Sequence, residues 1–225
     1  IAIGKNNMVD STNGGTNFGE TRNENSQIAI GRDNTATHLD TIAIGRDTHA
    51  TGSGATAFGA RADASGNNSI AIGQSGRDSK RITASGENAI AIGMRTTSSG
   101  ASSIAQGAEA TATGDYAIAE GRLSKATKQG AIAIGNETEA NIANGVALGD
   151  YSVTTTDKGV LGYNPSDPHD RKYKNLKGNV QTATTAAVSI GNGDTLTRQL
   201  TGLAAGTADT DAVNVAQLKN VGVAV

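Results

Sequence analysis

Ile28-Ala29-Ile30-Gly31 and Ile42-Ala43-Ile44-Gly45 are the same four residues fourteen positions apart. The phrase returns as Thr56-Ala57-Phe58-Gly59 and Ile70-Ala71-Ile72-Gly73. It continues at Ile90–Gly93, Ile104–Gly107, Ile118–Gly121, Ile132–Gly135 and Val146–Gly149. Seven of the eight intervals between the closing glycines are 14 residues. The eighth, from Gly73 to Gly93, is 20 and so carries six extra residues. A second glycine often sits seven residues after the first, at Gly52, Gly66, Gly100 and Gly114. Each unit therefore reads strand, turn, strand, turn.

A 14-residue unit cannot bury its own apolar face, so it must stack on its neighbours. Period-2 alternation sends the two Ile residues of each anchor strand to one face and the middle Ala to the other. The second strand, as in Ala110-Thr111-Ala112-Thr113, offers small residues. Small opposite large is the expected packing of a thin two-layer roll. Glycine closes each strand where the chain turns with positive φ or passes close to another backbone. Coils about 4.8 Å apart would make nine or ten of them a rod of roughly 45 Å. No Pro occurs before Pro165, as expected where every N–H joins a ladder.

The composition points the same way. The chain has 225 residues with 30 Gly, 3% aromatics, no Trp and no Cys; its only Phe residues are Phe18 and Phe58. Side chains this small bury little area per residue, so stability must come from repetition, oligomerisation or both. A second apolar stripe is expected to pack against copies of itself around a symmetry axis, their number left open. The net charge is -2, with 19 basic and 21 acidic residues intermixed, which leaves no footprint for nucleic acid or an anionic membrane. No apolar run reaches the roughly 18 residues of a membrane span, and no signal peptide is visible. The start at Ile1, inside a repeat, reads as an excised fragment. Zero Cys excludes disulfides and Cys-based metal sites.

With its S/A-I-A-I-G endings, the repeat resembles the head of YadA-like trimeric autotransporter adhesins. The segment Thr197–Lys219 is similar to the family's neck almost residue for residue, most specifically over Asp211-Ala212-Val213-Asn214-Val215-Ala216-Gln217-Leu218-Lys219. The resemblance implies an all-β, left-handed parallel β-roll of 14-residue coils forming an intertwined homotrimer, with a C-terminal neck leading to a coiled-coil stalk. It implies a head over 1–150, a head insert and last coil over 151–191, and a neck over 192–219. Residues 220–225 would be the start of the stalk or a cut end. Asp211, Val213, Asn214, Val215, Gln217 and Leu218 would carry neck trimerisation. The protein would be exported to the bacterial outer membrane and held there by an anchor absent from this fragment, its one membrane connection. Its partners would be host extracellular matrix proteins such as collagen, or a host cell-surface receptor.

Two stretches depart from the pattern. Residues 151–187 break the period; Tyr163-Asn164-Pro165-Ser166-Asp167-Pro168 is turn-forming, His169–Lys177 is basic and polar, and Leu176 stands near where the family's insert often has Trp. Val188-Ser189-Ile190-Gly191 then restores one anchor strand. Residues 5–27 are rich in Asn and Gly, with Asn17-Phe18-Gly19 as a degenerate anchor.

Catalytic and cofactor signatures are missing: there is no G-x-S-x-G, H-E-x-x-H or G-x-x-x-x-G-K motif, and no calcium-binding repeat. No enzyme activity, cofactor or metal is expected. His38, His49 and His169 read as solvated surface, since a metal site needs more ligands at matched positions. Gln106 and Glu120 each replace the last Ile of an anchor, one coil apart. Either that position reaches solvent, or they form a polar layer inside the assembly, in which Glu120 would need Arg122, a cation or a proton. Arg77, Lys80 and Arg81 cluster at the six-residue insertion, with Arg95 one coil on; they read as a solvated loop or a ligand-contact protrusion.

Two functions compete: an adhesin head whose threefold rod offers equivalent shallow sites for multivalent binding, and a spacer rod carrying a more distal binding domain. Ice binding is disfavoured because His49, Asp63 and Glu139 break the Thr ranks. A hexapeptide-type acyltransferase is disfavoured by the 14-residue period.

Overall fold

The computed structural model describes residues 1–10, 26–76, 80–162 and 181–222. They form a parallel β-solenoid of two facing sheets. The anchor strands, Ala2–Lys5, Ile28–Arg32, Ile42–Arg46 and their successors to Val146–Leu148, stack in one eleven-stranded sheet that ends on Val188–Ser189. The second strands, from Met8–Val9 through Thr35–Ala36 and Thr111–Ala112 to Glu139–Ala140, stack in a nine-stranded sheet. Repeat positions pair in register: Ile28↔Ile42, Ala29↔Ala43, Ile30↔Ile44 and Gly31↔Gly45. The insertion between Gly73 and Gly93 leaves the ladder intact, since Ile90 still pairs with Ile70 and Ile82 with Ala62.

The interior corrects one expectation. Alternation does split each anchor strand, but the middle Ala points inward and the Ile residues point out. Ala29, Ala43, Ala57, Ala71, Ala91, Ala105, Ala119, Ala133 and Ala147 are wholly buried. Facing them are Ala36, Ala50, Ala64, Ala84, Ser98, Ala112, Ala126 and Ala140, also wholly buried. Small therefore opposes small. The corners between the sheets are too short to separate them for branched side chains at these facing positions; among the described residues the largest fully buried side chain, Ile82, stands instead in the rank of Asn34, Thr48 and Thr96.

Two corner positions take the left-handed conformation in most coils. One is Asp33, Asp47, Arg61, Arg95, Glu109, Leu123, Glu137 and Tyr151; the other is Asp40, Gly54, Asn68, Asn88, Ser102, Tyr116, Gly130 and Asn144. Asn, Asp and Gly tolerate this region best. At the strand end the demand for glycine is steric as well. Gly45 has φ +144°, and a Cβ there would lie 1.6 Å from the Gly59 carbonyl oxygen. Gly100 has no positive φ, yet its Cβ would lie 2.0 Å from the Gly114 carbonyl oxygen. The coils approach through their glycines.

An interior polar rank adds hydrogen bonds between coils. Asn34 Nδ2 donates to the Gly45 carbonyl at 2.9 Å, Thr48 Oγ1 to Gly59 at 2.7 Å, Thr96 Oγ1 to Gly107 at 2.6 Å and Thr138 Oγ1 to Gly149 at 3.1 Å. A buried hydroxyl or amide is tolerated because it is paired.

Candidate interaction surfaces

The outward face of the anchor sheet is a long, predominantly apolar strip. One rank runs Ile28, Ile42, Thr56, Ile70, Ile90, Ile104, Ile118, Ile132, Val146; the other runs Ile30, Ile44, Phe58, Ile72, Ile92, Gln106, Glu120, Ile134, Leu148. These side chains are half-buried or exposed in the single chain, Phe58 by 51% and Leu148 by 45%. So extended an apolar strip marks an interface rather than a solvated surface. Gln106 and Glu120 pair in register within the second rank, both exposed. Arg122 does not turn to Glu120; it donates to Glu137 of the next coil at 2.8 Å and to Asn136 at 3.1 Å.

The other sheet's outer face is charged and internally compensated. Arg81 meets Asp47 at 3.1 Å and Asp63 at 3.4 Å, Arg95 meets Glu109 at 2.9 Å, and Lys125 meets Glu139 at 2.7 Å. Of these, Arg81, Arg95, Glu109 and Lys125, with exposed Lys80, border a groove of about 420 Å³ that also has Thr83, Thr97 and Thr111 in its walls. Arg81 and Arg95 thus stitch coils together. Arg77, His169, Asn17-Phe18-Gly19 and Leu176 lie outside the described residues. His49 Nε2 lies 3.5 Å from Asp47, and His38 Nδ1 lies 3.3 Å from the Thr37 hydroxyl. Among the described residues no group of three His, Asp or Glu side chains could hold a metal ion.

After the period breaks, the chain leaves at Val153, bridged to Glu139, and Val188 returns in register with Val146. Arg198, not singled out by the sequence reading, closes the final coil. It donates to the Ser152 hydroxyl at 2.9 Å, to the Asp150 carbonyl at 2.6 Å and to the Ile190 carbonyl. No repeat pattern signals this role, because it occurs once.

The segment that follows is organised by side-chain hydrogen bonds without a core of its own. Asn214 caps the helix Val215–Gly222: the Gln217 N–H donates to Asn214 Oδ1 at 3.0 Å, and the Asn214 N–H donates to Gln217 Oε1 at 3.2 Å. This is a reciprocal capping box. Gln217 also exchanges two hydrogen bonds with the Gly206 main chain, at 3.0 and 3.1 Å. The Asp211 carboxylate accepts from the Thr207 N–H at 2.8 Å, the Ala208 N–H at 3.0 Å and the Thr207 hydroxyl. Led by the Ala208 and Thr207 amides, these donors hold its pKa below the ordinary carboxylate value. Meanwhile Val213, Val215, Leu218 and Val221 are each about two-thirds exposed. A rigid backbone presenting bare apolar side chains is built to be covered.

The description "YadA head domain repeat (2 copies)" matches residues 28–48, 50–75, 83–96, 98–124 and 126–152, more than half of the chain. The chain belongs to the trimeric autotransporter adhesins. A second family description, "Coiled stalk of trimeric autotransporter adhesin", matches residues 199–225. Autotransporter adhesin BadA of Bartonella henselae is 49% identical over 69 residues, 30% of this chain and 2% of that protein. Trimeric autotransporter adhesin AtaA of Acinetobacter sp. (strain Tol 5) is 43% identical over 72 residues, 32% of this chain and 2% of that protein. The aligned stretches thus span only a small part of these relatives. The crystal structure of the collagen-binding domain of Yersinia adhesin YadA is 29% identical, with a TM-score of 0.42; the match covers 88% of this chain and 75% of that one. Within the adhesin family the chain is a YadA-type head, and the 199–225 match takes in Asp211, Asn214 and Gln217.

Proposed function

We propose that this chain is a surface-displayed, non-catalytic adhesive head that works as a homotrimer and holds host extracellular matrix protein, collagen foremost, or a host cell-surface receptor. One observation carries the proposal: an apolar strip, broken in one rank by Gln106 and Glu120, runs along nine coils of the anchor sheet, yet the solenoid's own interior is already filled by alanine and leaves it outside. In this reading three strips meet on a common axis, and the exposed Val213, Val215, Leu218 and Val221 continue the contact into the stalk. Gln106 and Glu120 then form a polar layer within an otherwise apolar seam, a device that sets register at some cost in stability. Trimerisation repeats each outer surface three times on a rigid rod, so weak contacts gain avidity. Family membership supports the ligand class and display at the outer membrane.

The test is a solid-phase binding screen of the purified chain against collagens, fibronectin, laminin and host adhesion receptors. Saturable binding to at least one of them is expected. Uniform absence of binding contradicts the adhesive role.

A further inference from the structure

A second outer surface carries more positive charge than its own acids match. Lys5, Arg32 and Arg46 each follow a closing glycine directly, and they pair in register, Lys5↔Arg32 and Arg32↔Arg46. Three like charges therefore stand opposite one another on successive strands about 4.8 Å apart, an arrangement that costs stability. All three are exposed. Arg32 has Asp33 at 3.3 Å, whereas Lys5 and Arg46 have no ion pair among the described residues. Asp47, which follows Arg46 in the chain, is shared by Arg61, Arg81 and His49. On the other sheet's outer face, aligned charges pair with opposite sign, as in Arg95–Glu109 and Lys125–Glu139. Two adjoining depressions, of about 400 and 440 Å³, both have Arg46 and Arg61 in their walls. One also has Arg32 and the carboxylates of Asp33 and Asp47 in its walls, three cations against two acids; the other has Gln74, Ser75 and Gly76.

We propose that this flank binds a linear sulfated polysaccharide laid along the stacking axis. Cations repeating at the coil spacing match a polymer with anionic groups along its length, and the ladder is longer than a single small anion needs. Guanidinium forks suit sulfate oxygens, and Gln74 adds a neutral amide at one end. The depressions have no aromatic side chain in their walls, so they lack the stacking platform of a single-stranded nucleic-acid site. The adhesive reading supplies the biological setting, but this site is separate from any surface that holds a protein ligand.

The test is retention of the purified chain on immobilised heparin under a salt gradient. Wild type is expected to be held at about 0.15 M salt, where exposed charges are already screened beyond about 8 Å. The Arg32→Gln/Arg46→Gln double variant is expected to lose affinity about tenfold, as removing two exposed ion contacts predicts. Lys80→Gln, in the compensated groove, should elute with wild type. Mass by light scattering and collagen binding should be the same for all three. Flow-through of wild type, or co-elution of the double variant, overturns the proposal while leaving the protein-ligand reading standing. Equal retention on single-stranded DNA also overturns it, as general polyanion exchange. A double variant that loses its assembled mass assigns the ladder to contact between copies and overturns it too.

Discussion

Arg198 reaches back 46 residues to donate to the Ser152 hydroxyl at 2.9 Å. The same guanidinium takes the carbonyls of Asp150 and Ile190, and a Cβ on Gly149 would lie 3.0 Å from its central carbon. It therefore stands where the glycine of a further coil would stand, and it satisfies carbonyls that such a coil would have bonded. A solenoid's open end is its weak point. Arg198→Ala should fray residues 149–153 and cost about 1–2 kcal/mol, the usual range for charge-assisted bonds allowing for solvent exposure. Hydrogen exchange at these amides reads the effect; unchanged protection would show that Arg198 is ornamental.

The glycine contacts predict a contrast between two identical substitutions. Gly45→Ala places a methyl 1.6 Å from the Gly59 carbonyl oxygen at φ +144°, whereas Gly159→Ala, at φ +82°, meets nothing within 4 Å. The first should cost at least about 3 kcal/mol through overlap and strain together, the second about 1 kcal/mol from backbone strain alone. Chemical denaturation of the two variants makes the comparison. Equal midpoints would mean the coils do not approach through their glycines.

Thr48 tests the interior polar rank. Thr48→Val keeps the shape but removes the hydroxyl that donates to the Gly59 carbonyl at 2.7 Å. Leaving that buried acceptor short of a partner should cost about 1–3 kcal/mol, seen as a lower unfolding midpoint. A Thr48→Ser variant keeps the donor and should lose less.

Asp211 gives the C-terminal segment a defined response to acid. Because its pKa is lowered by the Ala208 and Thr207 donors, its contribution is present in full above the unfolded carboxylate value near 3.8. It is lost as pH falls through the lower folded value. Amide protection at Thr207 and Ala208 should therefore fall on acidification below the ordinary carboxylate range. An Asp211→Asn variant should lose this acid limb; an identical pH profile in the variant would assign the response elsewhere.

Much of the fold was legible because it is written repeatedly. Nine anchors, at 14-residue spacing in all but one interval, specify parallel stacking, register and the glycine corners, and the Val188–Gly191 anchor announces its own return to the sheet. What alternation could not decide was which face points in, since period 2 separates Ala from Ile without saying how far apart the sheets stand. The short corners decide it in favour of Ala. The left-handed positions were within reach, as Asp33, Asp40, Asp47, Asn68, Asn88 and Asn144 recur at matched places. So were Lys5, Arg32 and Arg46, each immediately after an anchor glycine. Arg81 and Arg95 looked like a protruding basic cluster because their acid partners, Asp47, Asp63 and Glu109, come from other coils. Arg198 acts across 46 residues with no repeat to mark it.

Glu120→Ile addresses the interrupted strip. Extending the apolar rank from Ile134 towards Ile92 should raise the unfolding temperature of the assembled protein, since a buried polar layer generally costs stability relative to apolar packing. An unchanged or lowered transition would place Glu120 outside the contact between copies.

The most direct measurement is the mass of the purified chain in solution by sedimentation equilibrium across a wide concentration range. Three times the chain mass of 22.6 kDa, persisting on dilution, is the predicted result: alanine fills each solenoid, and only sister chains can cover the isoleucines. A folded species at 22.6 kDa, its isoleucine strip open to water, would contradict the account.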